Sequence, residues 1–168
     1  MSKNKGKDGE MRVLRLLSYI VETEENCDVT RHSNTNTADG GADLVLEHSQ
    51  GLLPHLGNVA TGDKNLQSPE LSEASRVKTR LDVKTTGRKL SPDTIKKFAG
   101  DIKRNPDCLG HVLMGGSGLS NKAESDLKEI QAAYEEVGKT VAYISNTGIE
   151  NLENHYSSLS DNSDNNEE

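Results

Sequence analysis

The chain reads as an α/β fold, a central mixed β-sheet flanked by helices in the order α-β-β-β-α-β-α-β. Three observations predict it. One apolar-striped helix comes first, and strand candidates follow it with no clear helical period between them. The second half alternates strand and helix, the pattern of parallel crossover units. Two strands there, Cys108 to Met114 and Thr140 to Ser145, are nearly continuous apolar runs, as strands covered on both faces are.

Residues 1–8 form a basic segment expected to be disordered, and residues 9–157 a single domain. Gly9 to Glu25 carries Met11, Leu14, Leu17 and Ile20 at helical spacing, widened by Val13 and Leu16. A short strand lies around Val29. A stronger one, Ala42-Asp43-Leu44-Val45-Leu46, is opened by Gly40-Gly41. Residues 49–75 show no clear period and include Pro54 and Pro69, which predicts a long loop; loops of that length are usually functional or disordered. Val77 to Thr85 alternates, placing Arg80, Asp82 and Lys84 on one face and Leu81 and Val83 on the other. Val29, Ala42 and Val77 thus open three strands of an antiparallel meander.

Ser91 can cap the next helix, with Pro92 at its first position and a buried stripe of Ile95, Phe98 and Ile102. Pro106 marks its end. Past the following strand, Gly115-Gly116-Ser117-Gly118 turns the chain. Ser120 then caps a helix running to about Val137, with Ala123, Leu127, Ile130 and Tyr134 inward and Gly138 as its stop. A short helix from Gly148 to Tyr156 closes the fold, and residues 158–168 read as a disordered acidic tail.

Hydrophobic residues make up 32% of the chain and aromatics 3%, so the core must come from Leu, Val and Ile. No run of about 18 apolar residues is available to span a membrane, and no apolar signal follows the basic start. The reading is intracellular. Cys27 and Cys108 form no CxxC pair and are expected to be buried free thiols. His32, His48, His55, His111 and His155 lack metal-ligand spacing and read as incidental.

The net charge of −7 argues against a nucleic-acid partner until its distribution is considered. Arg76 to Arg104 holds ten basic and three acidic residues, a local +7, while Asp161 to Glu168 carries −4. A basic middle on an acidic protein suits a phosphate-binding face and DNA as partner. A solvated charged surface is the plainer alternative.

The residues that carry chemistry are Gly40-Gly41-Ala42-Asp43 and, after a gap, Asp82-Val83-Lys84. Mg2+ takes hard oxygen ligands and keeps several waters, so two carboxylates converging from neighbouring strands suffice to hold it. Mn2+ is expected to substitute. Asp82 and Lys84 stand two apart and share a strand face, which sets the ammonium near the cation and the phosphate, where it offsets developing charge. A lone DxK is weak; the GGAD strand before it and the capped helix after it strengthen it. An exposed strand with an ion pair is the alternative.

Glu10 in the first helix, GGAD ending at Asp43, DVK at 82–84 and HVLMGGSGLSNKA at 111–123 together resemble the PD-(D/E)XK nuclease superfamily, most closely the Mrr-like restriction endonucleases. The resemblance covers roughly residues 9 to 146. It implies a restriction-endonuclease-like fold and Mg2+-dependent hydrolysis of DNA phosphodiester bonds. Asp43 and Asp82 would be metal ligands, Lys84 the catalytic lysine and Glu10 the first-helix acid that completes the site. The Mrr-like pattern more often has Glu or Gln where Asp82 stands, and the segment 49–75 is longer than a hairpin needs.

Thr85, Thr86, Arg88 and Lys89 directly after the lysine are candidates for contacting backbone phosphates, with solvated loop residues as the alternative. The turn at Ser117 offers backbone amides at a helix start, where a phosphate could bind. It lacks the GK[ST] ending of a P-loop, so a plain tight turn competes. Two other functions remain open: an inactive nuclease-fold protein that binds nucleic acid or a partner protein, and a regulatory protein with an acidic interaction face. A homodimer is expected, since two active sites are the simplest route to cutting both strands.

Overall fold

The computed structural model describes residues 5–24, 27–31, 42–49, 51–62 and 76–164, with side chains over 9–24, 27–30, 44–49, 51–62 and 76–158. The described residues form five helices and five strands. The helices are α1 (Lys5–Thr23), α2 (Leu52–Ala60), α3 (Pro92–Arg104), α4 (Asn121–Glu135) and α5 (Asn146–Asp164). The strands are β1 (Asp28–Arg31), β2 (Ala42–Ser49), β3 (Arg76–Val83), β4 (Gly110–Met114) and β5 (Thr140–Ile144).

The strands make one open mixed sheet in the order β1-β2-β3-β4-β5. β1, β2 and β3 pair antiparallel, and β3, β4 and β5 pair parallel. The meander and the parallel half are therefore as the sequence predicts. Each parallel step needs a crossover, and α3 and α4 supply the two.

Two apolar layers sandwich the sheet. On one face Val13, Leu16, Leu17 and Ile20 of α1, Leu56 of α2, and Leu152 and Tyr156 of α5 pack on Leu44, Leu46, Leu81 and Val83. On the other, Ile95, Phe98 and Ile102 of α3 and Ala123 and Leu127 of α4 pack on Leu113 and Val141. Strand alternation assigns the faces: Leu81 and Val83 go to the α1 layer, while Arg80 lies under the Phe98 ring of α3, 5.8 Å from its centroid.

Three sequence expectations need correction. The segment 49–75 is not wholly a loop, because Leu52–Ala60 is helical. α2 is buried at Leu52, Leu53, His55, Leu56 and Val59, so it lacks the polar face that reveals a helix by its period. Pro54 stands in its first turn, where an N–H has no helical acceptor to lose. α1 begins at Lys5 rather than Gly9, extending into the basic segment. α5 runs on to Asp164, through residues read as acidic tail. The expected structure at 1–4, 63–75 and 165–168 lies outside the described residues.

Candidate functional site

β3 carries the central residues to its carboxyl end. Asp82 is 3% exposed, and its carboxylate stands between two cations. Lys84 Nζ lies 3.4 Å from Oδ1 and Arg80 Nη2 lies 3.7 Å from Oδ2. Glu47 pairs with Lys78 one step further along the same face, at 3.8 Å. The β2–β3 register makes Asp43 the cross-strand partner of Asp82. The Asp43 side chain and Gly40-Gly41 lie outside the described residues.

Three contacts fix Lys84 where β3 ends. Its N–H donates to the Met114 carbonyl at 2.7 Å, which continues the parallel pairing one residue past the strand. Its own carbonyl is packed so tightly under Gly115 that a Cβ there would sit 1.9 Å away. Gly115 also has φ +118°, a conformation that side chains disfavour. The glycine turn is thus needed first to let the chain pass over Lys84. Tyr143 adds a lock, its hydroxyl donating to the Gly115 carbonyl at 2.7 Å.

Glu10 is buried on α1, the helix in the opposite layer. Its neighbour Gly9 lies so close to Thr85 that an added Cβ would be 2.0 Å from Oγ1. Thr85, Arg88 and Lys89 are exposed along the segment after Lys84. Ser117 is also exposed, but its N–H already donates to the Arg88 carbonyl at 3.0 Å. The Gly115 N–H is likewise taken, by Ile144. The turn therefore offers a phosphate the Ser117 hydroxyl rather than these two amides.

Lys84 to Thr86 forms a ridge with a cleft on each side. The larger, about 610 Å³, lies between α1 and α5 and is walled by Arg12, Arg88, Asn146 and Thr147. The smaller, about 270 Å³, opens toward α3 and is walled by Thr94 and Lys97. Lys89 lines neither. The sequence reading does not single out Arg12, Thr94 or Asn146, and counts Lys97 only within the basic segment; Arg12 and Asn146 sit on helices distant in the chain. Asn146 holds the ridge by donating to the Thr86 carbonyl at 2.8 Å. Arg12 is held across the larger cleft by Glu153, with Nε 3.1 Å from both carboxylate oxygens.

His48 and His55 are held within the fold, and His32 lies outside the described residues. His48 donates from Nδ1 to the Ser49 carbonyl and accepts from the Thr79 hydroxyl, both at 2.6 Å. His55 lies 3.8 Å from Glu24, which accepts a 3.0 Å bond from the buried Tyr156 hydroxyl. Burial lowers the pKa of both histidines. Cys27 and Cys108 are free and buried, as the sequence suggests, and burial pushes the Cys27 thiol up to about 12. Such a thiol is not a nucleophile.

The donor set suits a hard cation. Asp82 and Glu10 are both buried carboxylates. Among the described residues no three His, Cys, Asp or Glu side chains gather as a metal site. No helix among those residues is long and apolar enough to cross a membrane. Comparison with models of protein families, with curated proteins and with solved structures finds no match for this chain.

Proposed function

We propose that the chain is a metal-dependent DNA endonuclease with a restriction-endonuclease-like fold, related to the PD-(D/E)XK nucleases. The observation that carries this reading is the register that opposes Asp43 to Asp82, with Lys84 Nζ 3.4 Å from the Asp82 carboxylate. Directly opposed residues of an antiparallel pair share a sheet face, with Cβ atoms about 4.5–5.5 Å apart. Two acidic residues opposed in this way suit a shared cation, since like charges brought together disfavour ionisation of both.

Asp43 and Asp82 would hold Mg2+, or Mn2+ in its place, and Glu10 would complete the acidic set. The ion, when bound, supplies a Lewis acid for the phosphate and lowers the pKa of water. Lys84 offsets the charge that builds on the phosphate as water attacks, and its fixed backbone makes that charge preorganised. Thr85, Arg88 and the Ser117 hydroxyl are placed to hold phosphates flanking the cut, together with Arg12 and Lys97. Lys89 is exposed nearby and adds to the field alone. The described walls of both clefts carry no aromatic side chain, so the grip is on the backbone and not on stacked bases. Two copies of a chain this small would serve the two strands of a duplex.

Mg2+-dependent cleavage of plasmid, single-stranded and branched DNA tests this. Wild type should cut at least one, and Asp82→Asn and Lys84→Ala should lose at least about a hundredfold in rate, the scale of removing one preorganised transition-state contact. Circular dichroism should show both variants folded. Wild type that binds DNA and cuts none of the three would return the chain to the non-enzymatic reading.

A further inference from the structure

Arg12 walls the larger cleft from α1, yet its guanidinium is already engaged. Nε donates to both carboxylate oxygens of Glu153 at 3.1 Å, and Nη2 donates to Oε1. Glu153 stands on α5, and Glu150, one turn earlier on that helix, lines the cleft itself. The hydrogen bond to Glu153 is the largest cause of a raised Arg12 pKa, and the charges of Glu153 and Glu150 add to it against the cost of burial. Two carboxylates of one helix thus face one cation of another.

A guanidinium presents its donors in a fixed planar fork that fits a carboxylate and a phosphate alike, through two parallel N–H···O bonds. Glu153 therefore uses the donors that a DNA phosphate in this cleft would need. The pair is also of a kind that exchanges readily. The Arg12 side chain is 41% exposed and that of Glu153 35%, so water reaches both and weakens their attraction. We propose that Glu153 is an internal competitor of the DNA backbone: it holds Arg12 in the free protein, yields it to a phosphate entering the larger cleft, and so sets how tightly DNA is held there. The proposal rests on the DNA-binding reading above. Glu153 acts through Arg12 and is a positioning residue. While it holds Arg12, the guanidinium exerts little pull on distant DNA, because its charge is offset from α5. Only a phosphate lodged in the cleft is near enough to take over the fork.

Fluorescence anisotropy of a labelled duplex with the full chain tests this, in Ca2+ to suppress cutting and at about 0.15 M salt, where charges more than about 8 Å apart are largely screened. Glu153→Gln keeps the size of the side chain and removes the charge that holds Arg12. It should tighten binding roughly threefold, the scale of a partly exposed ion pair. Arg12→Gln should weaken binding, and in that background Glu153→Gln should lose its effect, since no guanidinium is left to release. Net charge alone makes a different forecast. Glu150→Gln removes the same charge from the cleft wall itself, so it would then tighten binding at least as much as Glu153→Gln. Competition for the fork expects less of it, because the hydrogen bonds to Arg12 come from Glu153. A pair that merely ties α1 to α5 would lower the melting temperature in Glu153→Gln and leave affinity unchanged or weaker. All three positions lie at least partly exposed on helices, so the variants should fold, which circular dichroism checks. Three outcomes overturn the proposal and leave the DNA reading standing: Glu153→Gln that does not tighten binding, that tightens it equally with and without Arg12, or that is matched by Glu150→Gln. Wild type that does not bind the duplex removes the DNA reading, and this proposal with it.

Discussion

At single residues, close approach and burial decide what the chain tolerates. Gly115 and Gly118 both have positive φ, +118° and +153°, but only Gly115 is crowded. An added methyl at Gly115 would meet the Lys84 carbonyl at 1.9 Å, while at Gly118 it meets nothing within 4 Å. Gly115→Ala should therefore cost about 3 kcal/mol or more and displace Lys84, and Gly118→Ala only about 1 kcal/mol. Thermal melts and cleavage rates of the pair check this; equal losses would mean that the contact with Lys84 is unimportant. His111 makes a prediction about pH. Its N–H at Nε2 donates to the Cys108 carbonyl at 3.2 Å, and burial first, then Arg80, lowers it from 6.5 to about 4. The unfolded chain takes up that proton near 6.5 and the folded protein does not, so stability is whole above pH 6.5 and is lost as pH falls toward 4. His111→Gln can keep the bond to Cys108 and should remove roughly 2–3 kcal/mol of that loss. His48 and His55, shifted the same way, should leave a smaller residual slope. Urea midpoints above and below this window would show it, and an unchanged slope would locate the acid sensitivity elsewhere.

At the level of elements, what the sequence reveals is what is settled within a few residues. Ser91 accepts from the Thr94 N–H at 3.4 Å and Ser120 from the Ala123 N–H at 3.2 Å, both as the local pattern predicts. Ser120→Ala should cost about 1 kcal/mol, and Ser120→Asp, which keeps the acceptor and adds charge at the positive helix end, should recover it. A melt in which Asp fails to recover what Ala loses would show that the hydroxyl serves something other than the cap. The stripe Ile95, Phe98 and Ile102 is likewise legible, because α3 has one wet face. α2 is not, because the layer closes around it: Asn151 of α5 donates to the Ala60 carbonyl at 2.9 Å, and Gly148 lets α5 approach Ile144 and Ala60. The end of α5 is missed for the opposite reason, being too polar to show a stripe. The site divides similarly. Period two puts Asp82 and Lys84 on one face, and the strand pattern gives β2 and β3. It does not say what covers that face, so the burial of Arg80 under α3 and the arrival of Arg12 and Asn146 from remote helices were beyond it.

For the whole molecule, the question is how a chain of net charge −7 would hold DNA. The basic segment from Arg76 to Arg104 is not one uniform surface. Arg76 pairs with Asp28, Lys78 with Glu47 and Arg104 with Asp101, and Arg80 is buried. Lys84 is paired with Asp82, and Arg88 stands exposed on the wall of the larger cleft at the same end of the sheet. Exposed positive charge at that end of the sheet would raise the local potential where the cut is proposed. Each phosphate neutralised releases condensed counterions, so log affinity should fall linearly with log salt, with a slope near −0.9 per contact for duplex DNA. Arg88→Ala should weaken binding at every salt concentration and make the slope shallower by about one, without altering sequence preference. Arg80→Met removes the same formal charge from the same stretch of sequence, yet should leave the slope unchanged, because a residue 1% exposed touches no phosphate. Fluorescence anisotropy of a labelled duplex titrated across salt in Ca2+, which suppresses cutting, compares the two variants directly. Equal changes in slope would mean that net charge alone governs binding, and an affinity insensitive to salt in wild type would remove DNA as the partner.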